Sequence, residues 1–114
     1  MGQRIRITLQ TLQVLKVLLD DPGGEHYGLE ISRNAELPTG SIYPILARLE
    51  AAGWVTSAWE NIDEAAEGRR RRRYYRLSRN GVELARREVL EAQRSLSSAS
   101  RRPQGRLNPG GAPA

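Results

Sequence analysis

The sequence predicts a mostly helical α+β chain with one small β-hairpin. Two observations set that class. Four stretches repeat apolar residues at steps of three and four, the helical spacing. One segment, Trp54 to Glu60, turns β-branched and aromatic and is answered by Tyr74-Tyr75-Arg76-Leu77. A third observation, a dense arginine run between those two strands, bears on function. The length of 114 residues, with 39% hydrophobic and 27% charged residues, matches one domain around one core. No apolar run approaches the roughly 18 residues of a membrane span and no leader core follows Arg4 and Arg6, so a cytoplasmic chain with no membrane partner is expected.

The first helix is expected over Thr8 to Leu19, where Leu9, Leu12, Leu15 or Lys16, and Leu18 or Leu19 form a stripe. Asp20-Asp21-Pro22-Gly23-Gly24 stops it, because proline cannot continue a helix and glycine permits the turn. Tyr27, Ile31 and Ala35 place a second helix over about Glu25 to Ala35, with Tyr27 heading its packing stripe. Leu37 to Gly40 is a tight connection. Ile42, Ile45, Leu46 and Leu49 mark a third helix, and Gly53 is its left-handed stop. The hairpin follows, with Asn61 to Arg71 as a long, mobile tip and Trp54 and Trp59 packing it onto the helices. Ser78 caps a last helix that runs to Ser97, with Gly81 a weak point in its first turn. From Ser98 the composition collapses into Ser, Arg, Pro and Gly, and a disordered tail is expected over 98–114.

Charge gives the first indication of function. The net charge is +5, yet Arg69 to Arg73, Arg76 and Arg79 supply seven positive charges with no acid among residues 69–79. Without that stretch the chain is slightly acidic. Such a block reads either as a solvated run or as a polyanion contact, most simply nucleic acid. The order helix, helix, short turn, helix, hairpin, helix favours the second reading. It is the layout of a winged helix-turn-helix, in which the third helix enters the major groove and the wing follows the sugar-phosphate backbone. Residues 1–77 are therefore assigned as the DNA-binding domain and residues 78–97 as a C-terminal helix.

Tyr27-Gly28-Leu29-Glu30-Ile31, the segment Gly40-Ser41-Ile42-Tyr43-Pro44-Ile45-Leu46 with Ala47 to Glu50, and Gly53-Trp54-Val55 resemble the PadR family of bacterial transcriptional regulators. So do Gly68-Arg69 and Arg73-Tyr74-Tyr75-Arg76-Leu77-Ser78 with Gly81. The resemblance covers roughly residues 8–97 and implies a dimeric winged-helix repressor whose last helix is the dimerisation arm; the single long helix resembles the short-armed branch. Two departures stand out. Glu60, Asp63, Glu64 and Glu67 crowd the hairpin tip just before five consecutive arginines, so the tip either bends away from DNA or pairs with those arginines. The last helix holds no Phe, Trp or Tyr, so the binding of flat aromatic compounds known for some relatives does not carry over; any small-molecule effector is unknown.

The candidate site is double. Thr39, Gly40, Ser41, Tyr43, Pro44 and Arg48 are expected on the recognition helix, with free N–H groups and hydroxyls at its start facing phosphate or base edges. The alternative for Thr39 and Ser41 is helix capping, for Tyr43 core packing, and for Arg48 an ion pair with an acid. Pro44 is expected in the first turn, and the Tyr43 hydroxyl is expected to point at the duplex, as the resemblance also implies. Arg69, Arg70, Arg71, Arg72 and Arg73 are the wing contacts. Val82, Ala85, Val89, Ala92 and Leu96 are spaced as a coiled-coil seam for a second copy, with Leu84 and Leu90 left to pack on the chain's own domain. The absence of cysteine, the lone His26, and the lack of a phosphate loop or a paired nucleophile and base make an enzyme, a metal site or a cofactor unexpected. Two other readings remain: an RNA- or ribosome-associated winged helix, and a winged helix used for protein contact.

Overall fold

Residues 5–101 are described by the computed structural model. The Thr8 hydroxyl accepts the Thr11 N–H and opens helix α1, Leu9–Leu19. A two-residue strand β1, His26–Tyr27, leads into helix α2, Gly28–Ala35, and helix α3 spans Thr39–Ala51. Strands β2, Val55–Trp59, and β3, Arg73–Leu77, flank a one-turn helix α4, Glu64–Glu67. Helix α5, Arg79–Arg101, closes the chain.

The core forms where the apolar stripes of α1, α2 and α3 meet. Val14, Leu15, Leu18, Ile31, Ile42, Leu46 and Leu49 are completely buried there, each worth about 1.5–3 kcal/mol in apolar burial. The sheet covers one side with Val55, Tyr75 and Leu77. This is a winged helix-turn-helix with a C-terminal helix, as the patterns predict. Among the described residues no helix is long and apolar enough to cross a membrane.

Several elements differ from expectation. Glu25 to Tyr27 do not join the second helix, because His26 and Tyr27 pair with Tyr75 and Tyr74 and make β3 the centre of a three-stranded antiparallel sheet of order β1-β3-β2. The expected mobile tip carries α4, whose Asp63 carboxylate accepts the Ala65 and Ala66 N–H groups. Trp54 packs in the core as expected, but Trp59 does not: it is 56% exposed. α5 runs four residues beyond Ser97, to Arg101, so the first part of the expected tail is helical. The remainder of that tail, 102–114, lies outside the described residues.

Where α3 ends, the Gly53 N–H reaches the Glu50 carbonyl and the Trp54 N–H reaches the Leu49 carbonyl, with Gly53 at φ +84°. That left-handed step is the expected glycine stop. The Trp54 carbonyl then accepts the Ser78 N–H at 2.9 Å, while the Ser78 hydroxyl caps α5 by accepting the Gly81 N–H. A Cβ at Gly81 would collide with the Trp54 carbonyl, so the glycine is needed for this close approach. Gly81→Ala is therefore expected to destabilise the protein by about 1–3 kcal/mol through backbone crowding, although alanine raises helix propensity by about 1 kcal/mol. Thermal melts of the two proteins check this; an alanine variant that melted higher would show that the approach is not tight.

Candidate nucleic-acid interface

α2 and α3 are joined by three residues. Glu36 takes the left-handed conformation at φ 58°, the Leu37 N–H bonds the Ser32 carbonyl, and the Ser32 hydroxyl donates back to the Leu37 carbonyl. Pro38 is the N-cap residue of α3 and offers no side-chain cap. Thr39 and Ser41 thus lie in the first turn with hydroxyls not used for capping, and the expected capping alternative does not arise. Because the helix starts at Thr39, Pro44 falls in its second turn rather than its first, and no N–H is available there for the Gly40 carbonyl.

The exposed residues of α3 are Thr39, Gly40, Tyr43, Pro44, Ala47, Arg48 and Ala51, while the half-buried Glu50 beside them accepts the Ser57 hydroxyl and lies 3.7 Å from the Arg73 guanidinium. Arg48 is exposed and takes part in none of the ion pairs found among the described residues. Tyr43 is 43% exposed, and its ring lies over Gly28, where any Cβ would strike the tyrosine hydroxyl. Its hydroxyl therefore sits at the start of α2.

The wing is built around Glu60. Its carboxylate accepts two hydrogen bonds from the Arg69 guanidinium, at 2.7 and 3.1 Å, one from the Arg72 N–H at 2.8 Å and one from the Tyr27 hydroxyl at 3.2 Å. Its side chain is 10% exposed. The bonds from Arg69, with those from Arg72 and Tyr27, hold the Glu60 carboxyl at about 2, below its ordinary 4.5, against the opposing effect of burial. Tyr27, expected to head a packing stripe, instead serves this cluster, with the Arg72 guanidinium 4.6 Å from its ring centroid.

The five arginines therefore differ. Arg69 is committed to Glu60. Arg71 has its N–H on the Glu64 carboxylate at 2.7 Å and its side chain 3.8 Å away, and Arg72 lies 3.5 Å from Glu60. Arg73 donates to the Ser57 hydroxyl at 2.7 Å, and its guanidinium lies 3.7 Å from Glu50 of α3. No ion pair involves Arg70 among the described residues. Two of the four tip acids, Glu60 and Glu64, thus pair with the arginines, one of the two arrangements expected for the tip, while Asp63 caps α4. Glu50 and Ser57 were not singled out from the sequence, and Trp59 was expected only to pack the wing onto the helices; the strand register that brings Ser57 opposite Tyr75 and Trp59 opposite Arg73 is the signal that places the two strand residues here.

The expected seam on α5 is partly consumed. Ala85 is 0% exposed and belongs to the core, and Val82 and Val89 pack against it beside Leu84. Identical three-four spacing serves an internal face as well as an external one, and here the first half faces inward. Leu96 is 71% exposed, Ala92 is half-buried, and Leu90, expected to pack internally, is exposed.

Comparison with known proteins gives the following. The family model of the transcriptional regulator PadR-like family matches residues 14–87. No curated protein matches the chain. A PadR family transcription regulator from Clostridium difficile is similar in structure, with a TM-score of 0.59 at 22% identity over 80% of this chain and 97% of that one. AbfR, in a disulfide-formed state, gives a TM-score of 0.60 at 28% identity over 78% of this chain and 55% of its own. Bordetella bronchiseptica BpsR, whose DNA binding is regulated by 6-hydroxynicotinic acid, gives 0.66 at 17% identity over 82% and 61%. The chain spans less than two thirds of the AbfR and BpsR chains.

Glu60 contributes stability that is complete above its ordinary 4.5 and is lost as pH falls toward about 2. Glu60→Gln is expected to melt lower at neutral pH and to lose less stability across that acid window than the parent does. Melting curves followed down the pH scale check both; parallel curves would remove Glu60 from the acid response.

Proposed function

Since the chain belongs to the PadR-like family of transcriptional regulators, we propose that it is a homodimeric repressor that recognises a specific duplex DNA sequence. α3 lies in the major groove, and the exposed Thr39, Gly40, Tyr43, Pro44 and Arg48, with the half-buried Ser41 beside them, face phosphates and base edges. The wing follows the backbone through Arg70 to Arg73, while Arg69 holds the wing in shape. The observation that carries this reading is the exposed face of α3, whose one acid Glu50 is engaged by Ser57 and Arg73, lying beside a wing that gathers five arginines. The acids that pair with Arg71 and Arg73 at 3.7–3.8 Å stand on partly exposed surface and form weak pairs that phosphates replace. Repression follows from occupying a promoter.

Quantitative binding across salt tests the reading. If Arg70 and Arg71 of both copies neutralise phosphates, replacing both by alanine flattens the log–log salt slope by roughly 3.6 and weakens selected and random duplexes alike. A variant with the parental slope would take the wing off the DNA.

The dimer is proposed to form on the outer half of α5, around Ala92 and Leu96, which extends past the core-packed Val89. Leu96→Glu is expected to give a folded monomer by light scattering, with specific binding reduced to the level of one half-site. Retention of the dimer by this variant would place the contact elsewhere.

A further inference from the structure

Trp59 is an apolar side chain left in water at the end of β2. Residues alternate along β2, and Val55, Ser57 and Trp59 share the face on which Ser57 bonds Glu50 of α3. The paired residues Leu77, Tyr75 and Arg73 share that face, and Leu77 and Tyr75 are buried there. Trp59 and Arg73 are thus the outermost pair of the face turned toward α3, beyond the point where the helical body covers it. The Arg73 guanidinium lies 5.8 Å from the indole centroid. The indole also borders a groove of about 350 Å³ lined with Glu64, Arg70 and Arg71. Three arginines of the basic run therefore surround one exposed indole.

We infer that Trp59 is a contact residue for duplex DNA, its indole packing against a deoxyribose of the strand whose phosphates Arg70, Arg71 and Arg73 hold. The inference rests on the DNA-binding reading above and adds to it an uncharged contact on the wing. A phosphate drawn to those guanidiniums brings its sugar within reach of the indole, and covering the ring removes apolar surface that the fold leaves in water. The cation–π contact with Arg73 accounts for the placement of one guanidinium but leaves more than half of the side chain uncovered.

The contribution of a neutral residue separates from that of the arginines by its salt dependence. The test compares parent, Trp59→Ala, Trp59→Phe and Arg73→Ala, titrated with a mixed-sequence DNA duplex and with its separated strands across a range of salt. Trp59→Ala is expected to weaken duplex binding about tenfold with an unchanged log–log slope. Trp59→Phe keeps most of the affinity, and Arg73→Ala lowers the slope. In the parent, duplex shields the exposed tryptophan emission from acrylamide; that protection disappears in Trp59→Phe, which retains only the buried Trp54.

Parental affinity for Trp59→Ala overturns the inference. So does a slope that falls as it does for Arg73→Ala, since the indole would then act only by positioning a guanidinium. A loss confined to single strands overturns it in favour of base stacking. If the parent binds no duplex at all, the DNA-binding reading fails and the inference with it. Because the side chain is exposed, melting temperatures of the variants should match the parent, and Trp59→Phe supplies a second readout if Trp59→Ala melts early.

Discussion

The backbone of Trp54 is the joint on which the two working parts of this protein depend. Its N–H ends α3 by bonding Leu49, and its carbonyl starts α5 by accepting the Ser78 N–H. The indole is buried in the core between these bonds. The end of α3, the root of the wing and the base of the C-terminal helix are therefore fixed relative to one another within a single residue. Gly81 is the sterically required partner of that joint, since no side chain fits between the first turn of α5 and the Trp54 carbonyl.

A second constraint shapes the wing. Five neighbouring guanidiniums repel one another, and a hairpin that carries them needs counter-charge to keep its form when no polyanion is present. Glu60 supplies this at the base, where a nearly buried carboxylate receives a bidentate guanidinium, a backbone N–H and a tyrosine hydroxyl. Glu64 supplies it at the tip, from the first turn of α4. Buried and multiply bonded at one end, exposed and lightly bonded at the other, the two acids divide the arginines into a fixed group and an exchangeable one. The wing keeps its shape from the first group and presents its charge with the second.

Much of this was legible in the sequence because it is local. The stripes at Leu15, Ile42 and Leu49, the Gly53 stop, the Ser78 cap and the change of period at Trp54 depend on neighbours a few residues away. What the sequence concealed is non-local. His26 and Tyr27 become a strand only because Tyr74 and Tyr75 lie beside them, so a helical i, i+4 pattern from Tyr27 to Ile31 misled. Val82, Ala85 and Val89 have the spacing of a seam, but spacing does not say whether the facing helix belongs to the same chain, and α1 and the core occupy that face. Trp59 looks like Trp54 in composition and differs only in standing beyond the body of the domain. The placement of Pro44 followed from the helix start, which the αL turn at Glu36 determines and no glycine advertised.

The arginine run also carries a consequence for how this protein tolerates change. Five identical letters stand side by side, yet the structure gives them unequal freedom. Arg70 needs only a positive charge on a long stem, which lysine provides. Arg69 needs a planar fork with two parallel donors, and a single ammonium cannot satisfy both oxygens of Glu60. Substitution at the first position is a change of charge style, whereas at the second it is a change of architecture, so the block that looks most redundant in the chain contains one of its least replaceable residues.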